Sequence, residues 1–282
     1  MPRPINVLLT GGTGGLGRAI AHTFAAQRSI PFHITLLGRN EDRLRNAIAD
    51  LPKRHGGSTR VHAYHVGDIT AQTFWRNIPW SSNSNGADEG NSVQVPTVLV
   101  NAAGVVHRSL LPQQTEEQVQ ETLDVNLKAT IWACQAFAQR DLVRARRKIE
   151  LREEEQGGIE KVVKVVTPNI INISSLLGTH GGLGAAAYAA SKAGIIGLSR
   201  ALAAEYGRLG IRVNTLVPGY IDAGMAETES AEALKRIRGI VPLKRLGTAQ
   251  EVADAAMFLA LNDYANNCVL NLDGGLGATA GS

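Results

Sequence analysis

Three side chains suggest chemistry first: the hydroxyl of Ser175, the phenol of Tyr188 and the ammonium of Lys192, within the stretch S-L-L-G-T-H-G-G-L-G-A-A-A-Y-A-A-S-K. Tyr188 and Lys192 stand four residues apart in an alanine-rich run, Ala185 to Ala193. Such a run favours helix, and that spacing puts both side chains on one helix face. A fixed cation beside a phenol favours the phenolate, which suits a tyrosine that must pass a proton near neutral pH. Alone, Y-x-x-x-K is more often a surface pair on an ordinary helix, so the weight falls on the elements around it.

Ile5 to Thr10 is a short apolar, β-prone run, followed by Gly11, Gly12, Thr13, Gly14, Gly15, Leu16 and Gly17 and then a segment of helical periodicity. Strand, glycine turn and helix form the context of a dinucleotide fingerprint. Glycines admit a pyrophosphate to the backbone, and the helix N-terminus favours its charge. His33 to Leu37 reads as a second strand, ending at Gly38 and Arg39. An acidic residue there would accept from ribose hydroxyls, whereas an arginine accommodates a 2′-phosphate. Arg39, with Arg18 just after the glycine turn, therefore favours NADP(H) over NAD(H), against the plainer reading that Arg39 closes a loop.

Arg60 to Val66 is a third strand, delivering Asp68 and Ile69. Asp68 either accepts from an adenine amino group or caps the helix expected over Thr70 to Ile78. Thr97 to Val100 is a fourth, ending in Asn101, Ala102, Ala103 and Gly104, small residues past which a bound ring fits, or a plain turn. Thr115 to about Arg147 reads as a long helix opened by a T-E-E-Q capping box. Asn126 lies inside it, a poor helix former whose ordinary explanation is a satisfied amide. Asn169 to Ile173 delivers Ser174 and Ser175; Arg212 to Val217 ends in Pro218, Gly219, Tyr220 and Ile221. Ala226 to Ile240 reads as a helical flap, Ala249 to Leu261 as an amphipathic helix and Val269 to Leu272 as a last strand.

Strands and helices thus alternate without a composition break. The expectation is a single α/β domain, a doubly wound Rossmann-type sheet of about seven parallel strands with helices on both faces. Surface insertions are expected near 80–96 and 140–168, and a substrate flap near 222–242. The candidate residues all follow strand ends, so one crevice can hold them.

The 282 residues carry a formal charge of +4, compatible with anionic ligands but too dispersed to suggest nucleic acid. No apolar run approaches the ~20 residues of a bilayer span. Cys134 and Cys268 lack metal-ligand spacing, and no metal site is expected. With no signal or transit segment at the start, the cytoplasm or mitochondrial matrix is the expected location.

These motifs in this order resemble the short-chain dehydrogenase/reductase family over Val7 to Gly275. Within it the chain looks most like the β-ketoacyl-acyl-carrier-protein reductases, through N-A-A-G-V-V-H-R-S-L-L, Y-A-A-S-K-A-G-I-I-G-L-S-R-A-L-A, V-P-L-K-R-L-G and L-N-L-D-G-G-L. The resemblance implies NADPH-dependent reduction of a 3-oxoacyl thioester, possibly carrier-linked, in fatty-acid synthesis. Ser175, thirteen residues before the tyrosine, would bind the carbonyl oxygen, and Tyr188 would donate the proton. Lys192 would depress the tyrosine pKa and hold the nicotinamide ribose, and Asn126 would orient a water that feeds Lys192.

It also implies a homotetramer through the helices of Asn126 and Tyr188, where Ala193, Gly194 and Gly197 permit close approach. Arg208, Arg212 and the segment after Arg140 are compatible with an acidic carrier. The chain departs from the family in Thr13-Gly14 for a Ser-Arg pair, in Ala223 for a threonine, and in Asn267 for a glycine, where Asn tolerates left-handed backbone. Reductases of quinones, steroids or polyketide intermediates share the mechanism. A non-catalytic NADP-binding scaffold is a further reading, against which the intact Asn–Ser–Tyr–Lys set argues.

Overall fold

The computed structural model describes residues 4–52, 54–55, 58–59, 62–81, 93–94, 96–140, 167–223 and 230–279. Its centre is a seven-stranded parallel sheet of β1 (Ile5–Thr10), β2 (Phe32–Gly38), β3 (Ala63–Val66), β4 (Val98–Asn101), β5 (Asn169–Ile173), β6 (Arg212–Pro218) and β7 (Val269–Leu272). In space the order is β7-β6-β5-β4-β1-β2-β3. The order turns back between β1 and β4, and such a switch point opens a crevice at the carboxyl ends of the strands.

The strands are apolar on both faces because helices cover both. Val7, Leu9, Val98, Val100, Ile171 and Ile173 face one core, while Leu8, Leu99 and Ile170 between them face the other. That alternation is the two-residue period of a strand. On the first face pack α1 (Gly15–Ala26) and the last long helix, Ala249–Leu261, through Phe24, Ala253 and Ala256. The expected strands and the helix Ala249–Leu261 are found to within three residues at the ends described. The charged segment after Arg140 and most of the stretch 80–96 lie outside the described residues, as does the start of the expected flap.

The helix α2 (Glu41–Ala49) follows β2, and α3 (Gln72–Asn77) follows β3. The long helical path α4 runs from Glu116 to 140 and opens on the expected capping box, with Thr115 Oγ1 accepting from Gln118 N at 3.3 Å. It is interrupted by a π-helical turn at Asp124–Lys128 centred on Asn126. Helix α5 (Ala186–Gly207) carries Tyr188 and Lys192, α6 (Ala231–Ile240) is the described part of the flap, and α7 is Ala249–Leu261.

Arg212, expected among the basic residues facing a carrier, is buried. Its Nη1 donates to the carbonyls of Leu259 (2.9 Å) and Ala265 (2.8 Å) and its Nη2 to that of Ala260 (3.1 Å). A guanidinium at a helix C-terminus satisfies carbonyls that lack intrahelical partners, so this arginine belongs to the fold. Asn267 has φ +61, the left-handed backbone anticipated for it.

Candidate active site

A cleft of about 520 Å³ runs along the carboxyl ends of the strands. One wall is the glycine turn: Gly11, Thr13, Gly14, Gly15, Leu16 and Gly17 line it. Gly11 has φ +72, and a Cβ added there would stand 2.6 Å from Ala103 N; one added at Gly17 would stand 2.2 Å from Gly11 O. Strand β4, the turn and α1 therefore touch backbone to backbone. Gly14, the N-cap of α1, supplies no side-chain cap and the first turn carries no acid, which leaves the N-terminal N–H groups for an anion. Gly12 points away from the cleft, where an added Cβ would meet Leu36 Cδ2 at 2.5 Å.

Ala102, Ala103 and Gly104 form the facing wall. Asn101 does not reach the cleft: it is buried, and its Nδ2 donates to Asn172 Oδ1 (2.8 Å) across the sheet. Beyond β2 the cleft meets Arg39, as expected, and Arg43. Arg43 sits in the first turn of α2, whose N-cap Asn40 accepts from Arg43 N at 2.9 Å. Arg18 is absent from the cleft wall and pairs with Asp50, whereas Arg43 lines the wall beside Arg39. Asp68 and Ile69 line the same end. Asp68 Oδ1 accepts from Thr70 N (2.9 Å) and Thr70 Oγ1 (2.8 Å), tying the turn, while the N-cap of α3 is Ala71.

At the other end the wall contains Ser175, Tyr188 and Lys192, with Pro218, Gly219 and Ile221 opposite. The two adjacent serines have separate tasks. Ser174 is buried and donates to Lys192 O at 2.7 Å, while Ser175 is half-buried, accepts from Leu177 N at 3.2 Å and hydrogen-bonds the Tyr188 phenol. Helical spacing places Lys192 Nζ 5.7 Å from the Tyr188 ring centre, and that Nζ donates to Ile173 O at 2.9 Å.

Asn126 is wholly buried behind this group. Its Oδ1 accepts from Val105 N (2.8 Å), and its Nδ2 donates to Val105 O (2.9 Å) and Ser191 Oγ (3.0 Å); Ser191 Oγ in turn donates to Tyr188 O at 2.7 Å. The resemblance implies a water on Asn126. In the structure its side chain makes three hydrogen bonds, to Val105 and Ser191, which lock the loop after β4 onto α5 between Tyr188 and Lys192. A Cβ at Gly104 would lie 3.2 Å from Asn126 Oδ1, a tight contact, and 3.4 Å from Lys192 Nζ, so glycine gives the Asn126 amide its room.

The electrostatics differ from the expectation that Lys192 depresses the tyrosine. Burial raises the Tyr188 pKa, and the opposing influences are the Ser175 hydrogen bond and the charge of Arg108. Burial also pushes Lys192 from 10.5 down to about 8. Desolvation disfavours each charged form. Because the unfolded chain would hold the Lys192 proton more tightly, this lysine costs stability below pH 8. The cost fades as the pH rises from about 8 towards 10.5.

A separate cavity of about 470 Å³ lies between Pro242–Leu243 and Asn271–Gly275 and contains none of Ser175, Tyr188 or Lys192. Among the described residues no helix is long and apolar enough to cross a membrane, and no group of three or more His, Cys, Asp or Glu could hold a metal ion.

A Rossmann-type sheet with a glycine cradle at its switch point and a Ser–Tyr–Lys group facing it defines a nucleotide-dependent oxidoreductase. Comparison with known proteins agrees. Residues 6–148 match the family profile described as short chain dehydrogenase, and residues 159–277 match that described as enoyl-(acyl carrier protein) reductase. The 3-oxoacyl-[acyl-carrier-protein] reductase FabG of Chlamydia muridarum is 32% identical over 271 residues, 95% of this chain and 96% of the relative. The 3-oxoacyl-[acyl-carrier-protein] reductase of Rattus norvegicus is 32% identical over 96% and 97%. Among solved structures, a putative NAD(P)-dependent gluconate 5-dehydrogenase from Beutenbergia cavernae with bound NADP superposes with TM-score 0.77 at 28% identity, covering 97% of both chains. The chain belongs to the short-chain dehydrogenase/reductase family and is an oxidoreductase acting on an alcohol/carbonyl pair.

Proposed function

We propose that the protein is an NADPH-dependent reductase of 3-oxoacyl thioesters, in the manner of the fatty-acid-synthesis enzymes it resembles. The observation that carries the reading is the meeting of Ser175, Tyr188 and Lys192 on one wall of the cleft that holds the glycine cradle. The cradle fits a dinucleotide: its backbone is closed by contacts that a Cβ would break, and its helix N-terminus is left uncapped by side chains. Gly11 to Gly17 would hold the pyrophosphate, Asp68 and Ile69 the adenine end, and Ala102 to Gly104 with Pro218, Gly219 and Ile221 the nicotinamide end. Bound at this site, NADPH supplies the hydride that a carbonyl carbon accepts.

The protein's own groups manage the charge that then develops on oxygen. Ser175 donates a hydrogen bond to it, as an oxyanion stabiliser does, and Tyr188 delivers the proton. Lys192 would hold the nicotinamide ribose hydroxyls, and its Nζ stands 5.7 Å from the centre of the Tyr188 ring. Asn126 keeps Tyr188 and Lys192 in register through Ser191.

Arg39 and Arg43 support NADP(H) over NAD(H). Each guanidinium can fork onto a 2′-phosphate, and Arg43 adds the positive end of α2. Arg39→Ala and Arg43→Ala are each expected to weaken NADPH binding about ten- to a hundredfold, the scale of a hydrogen bond to a charged group, and to leave NADH binding unchanged. Fluorescence titration with both cofactors checks this; equal losses for the two would contradict it.

The thioester reading is supported by the relatives named as 3-oxoacyl-carrier reductases. A second reading, oxidoreduction of a sugar acid, is favoured by the likeness to the putative gluconate 5-dehydrogenase. Initial rates of NADPH oxidation with an acetoacetyl thioester, carrier-linked and free, beside 5-ketogluconate and a quinone, separate them. The highest kcat/KM is expected on the thioester, and a preference for either of the others would overturn the assignment.

A homotetramer through α4 and α5 forms part of the proposal. Ala193 and Gly197 are exposed on α5, and a Cβ at Gly197 would meet nothing within 4 Å. Gly194 is already packed against Leu127 of α4, so it serves the subunit itself.

A further inference from the structure

The loop between β4 and α4 carries an arginine that neither the cofactor cradle nor the Ser175–Tyr188–Lys192 group explains. Arg108 lines the same cleft as Ser175 and Tyr188. Its backbone is pinned on both sides. Gln114 Nε2 donates to the carbonyls of His107 (3.1 Å) and Ser109 (3.2 Å), bracketing the arginine. Ser109 N donates to Gly184 O at 3.1 Å, four residues ahead of Tyr188. On the neighbouring turn His107 Nε2 meets Glu121 Oε2 at 2.9 Å. Two elements, the segment before α5 and the first part of α4, thus fix where this exposed residue starts from, against the segment that leads into Tyr188. The guanidinium charge is felt there, opposing the effect of burial on Tyr188.

A guanidinium is a permanent cation with five donors and no acceptor, so what it takes from a substrate is an electron-rich oxygen. The carbonyl oxygen under reduction is already served by Ser175 and Tyr188. An arginine in the same cleft therefore addresses another oxygen of the same molecule. On the reductase reading above, we infer that Arg108 is a specificity-determining residue whose guanidinium binds a second oxygen acceptor of the substrate, a thioester carbonyl or a carboxylate, beside the carbonyl that is reduced. The site then prefers bifunctional carbonyl compounds to simple ketones, and a planar fork suits either acceptor.

The test uses protein loaded with NADP⁺, which cannot reduce a ketone, so binding is read without turnover. Wild type, Arg108→Gln and Arg108→Lys are titrated calorimetrically with acetoacetyl-N-acetylcysteamine, with acetoacetate and with 2-pentanone as the one-carbonyl control. Arg108→Gln is expected to weaken the thioester, the acid or both by about tenfold or more, with little effect on the control. Arg108→Lys recovers part of the loss, since it keeps the charge without the fork. The larger loss identifies which oxygen the arginine reads. An equal loss on all three compounds, or no loss on any, overturns the inference. Failure of the reductase reading shows separately: wild type would oxidise no NADPH with the thioester or the acid while the selective loss in binding persisted.

Discussion

Replacing Tyr188 by phenylalanine is expected to lower kcat by on the order of 10³–10⁴, the upper part of what a positioned acid contributes, with NADPH binding unchanged. The substitution removes one oxygen and keeps the ring, which is 8% exposed and packed beside Lys192. Ser175 keeps its bond from Leu177 N, and Ser191 still donates to the carbonyl of residue 188, so the register of α5 survives. What disappears is the O–H poised at the end of the cleft, with Ser175 on one side and the Arg108 charge nearby. Stopped-flow hydride transfer and a cofactor titration on the same preparation check it. Retained turnover would remove Tyr188 from the reaction, and lost NADPH binding would make its role structural.

Gly17→Ala is expected to weaken NADPH binding about a hundredfold, the scale of a misplacement near 1 Å, and to cost about 1–3 kcal/mol of stability by overpacking. The added methyl would lie 2.2 Å from Gly11 O and 2.7 Å from Gly11 C, both backbone atoms that no rotamer can move aside. Helix α1 must retreat from the turn, and its N-terminus leaves the place where a pyrophosphate would sit. Gly14→Ala is the control for stability, because its methyl meets Gly11 O only at 3.5 Å, an ordinary contact. Thermal unfolding of the two variants beside a cofactor titration separates a closed turn from a loose one. Equal behaviour of the two would contradict the argument.

The sheet was legible because its strands are short apolar runs bounded by Gly, Asn and Pro, and the cradle because glycines at Gly11 and Gly17 follow a strand and open a helix. What escaped reading depends on contacts between segments distant in sequence. Asn101 looked like part of a ligand turn, yet its partner is Asn172, seventy-one residues away on the neighbouring strand. Arg18 follows the glycine turn but pairs with Asp50, whereas Arg43 reaches the cleft because Asn40 starts α2 there. The spacing Arg39-x-x-x-Arg43 after a strand end was the available signal. Arg108 gave none, since contacts between distant segments, the Ser109–Gly184 bond among them, bring its loop towards the Tyr188 helix.

The π-helical turn explains why Asn126 is tolerated inside a helix. The widened turn carries the amide inward to Val105 and Ser191. Spacing alone correctly put Tyr188 and Lys192 on one face. It could not show that Lys192 would donate to Ile173 O and be held down to about 8 by burial.

The central claim is that this cleft transfers a hydride to the 3-carbonyl of an acyl thioester while Tyr188 delivers the proton. Incubation with an acetoacetyl thioester and NADPH deuterated at nicotinamide C4, followed by mass spectrometry of the product, tests it most directly. The account predicts a 3-hydroxybutyryl thioester with one deuterium on C3 for wild type and none formed by Tyr188→Phe in the same time. An unlabelled hydroxy product, or equal labelled product from the variant, would contradict it.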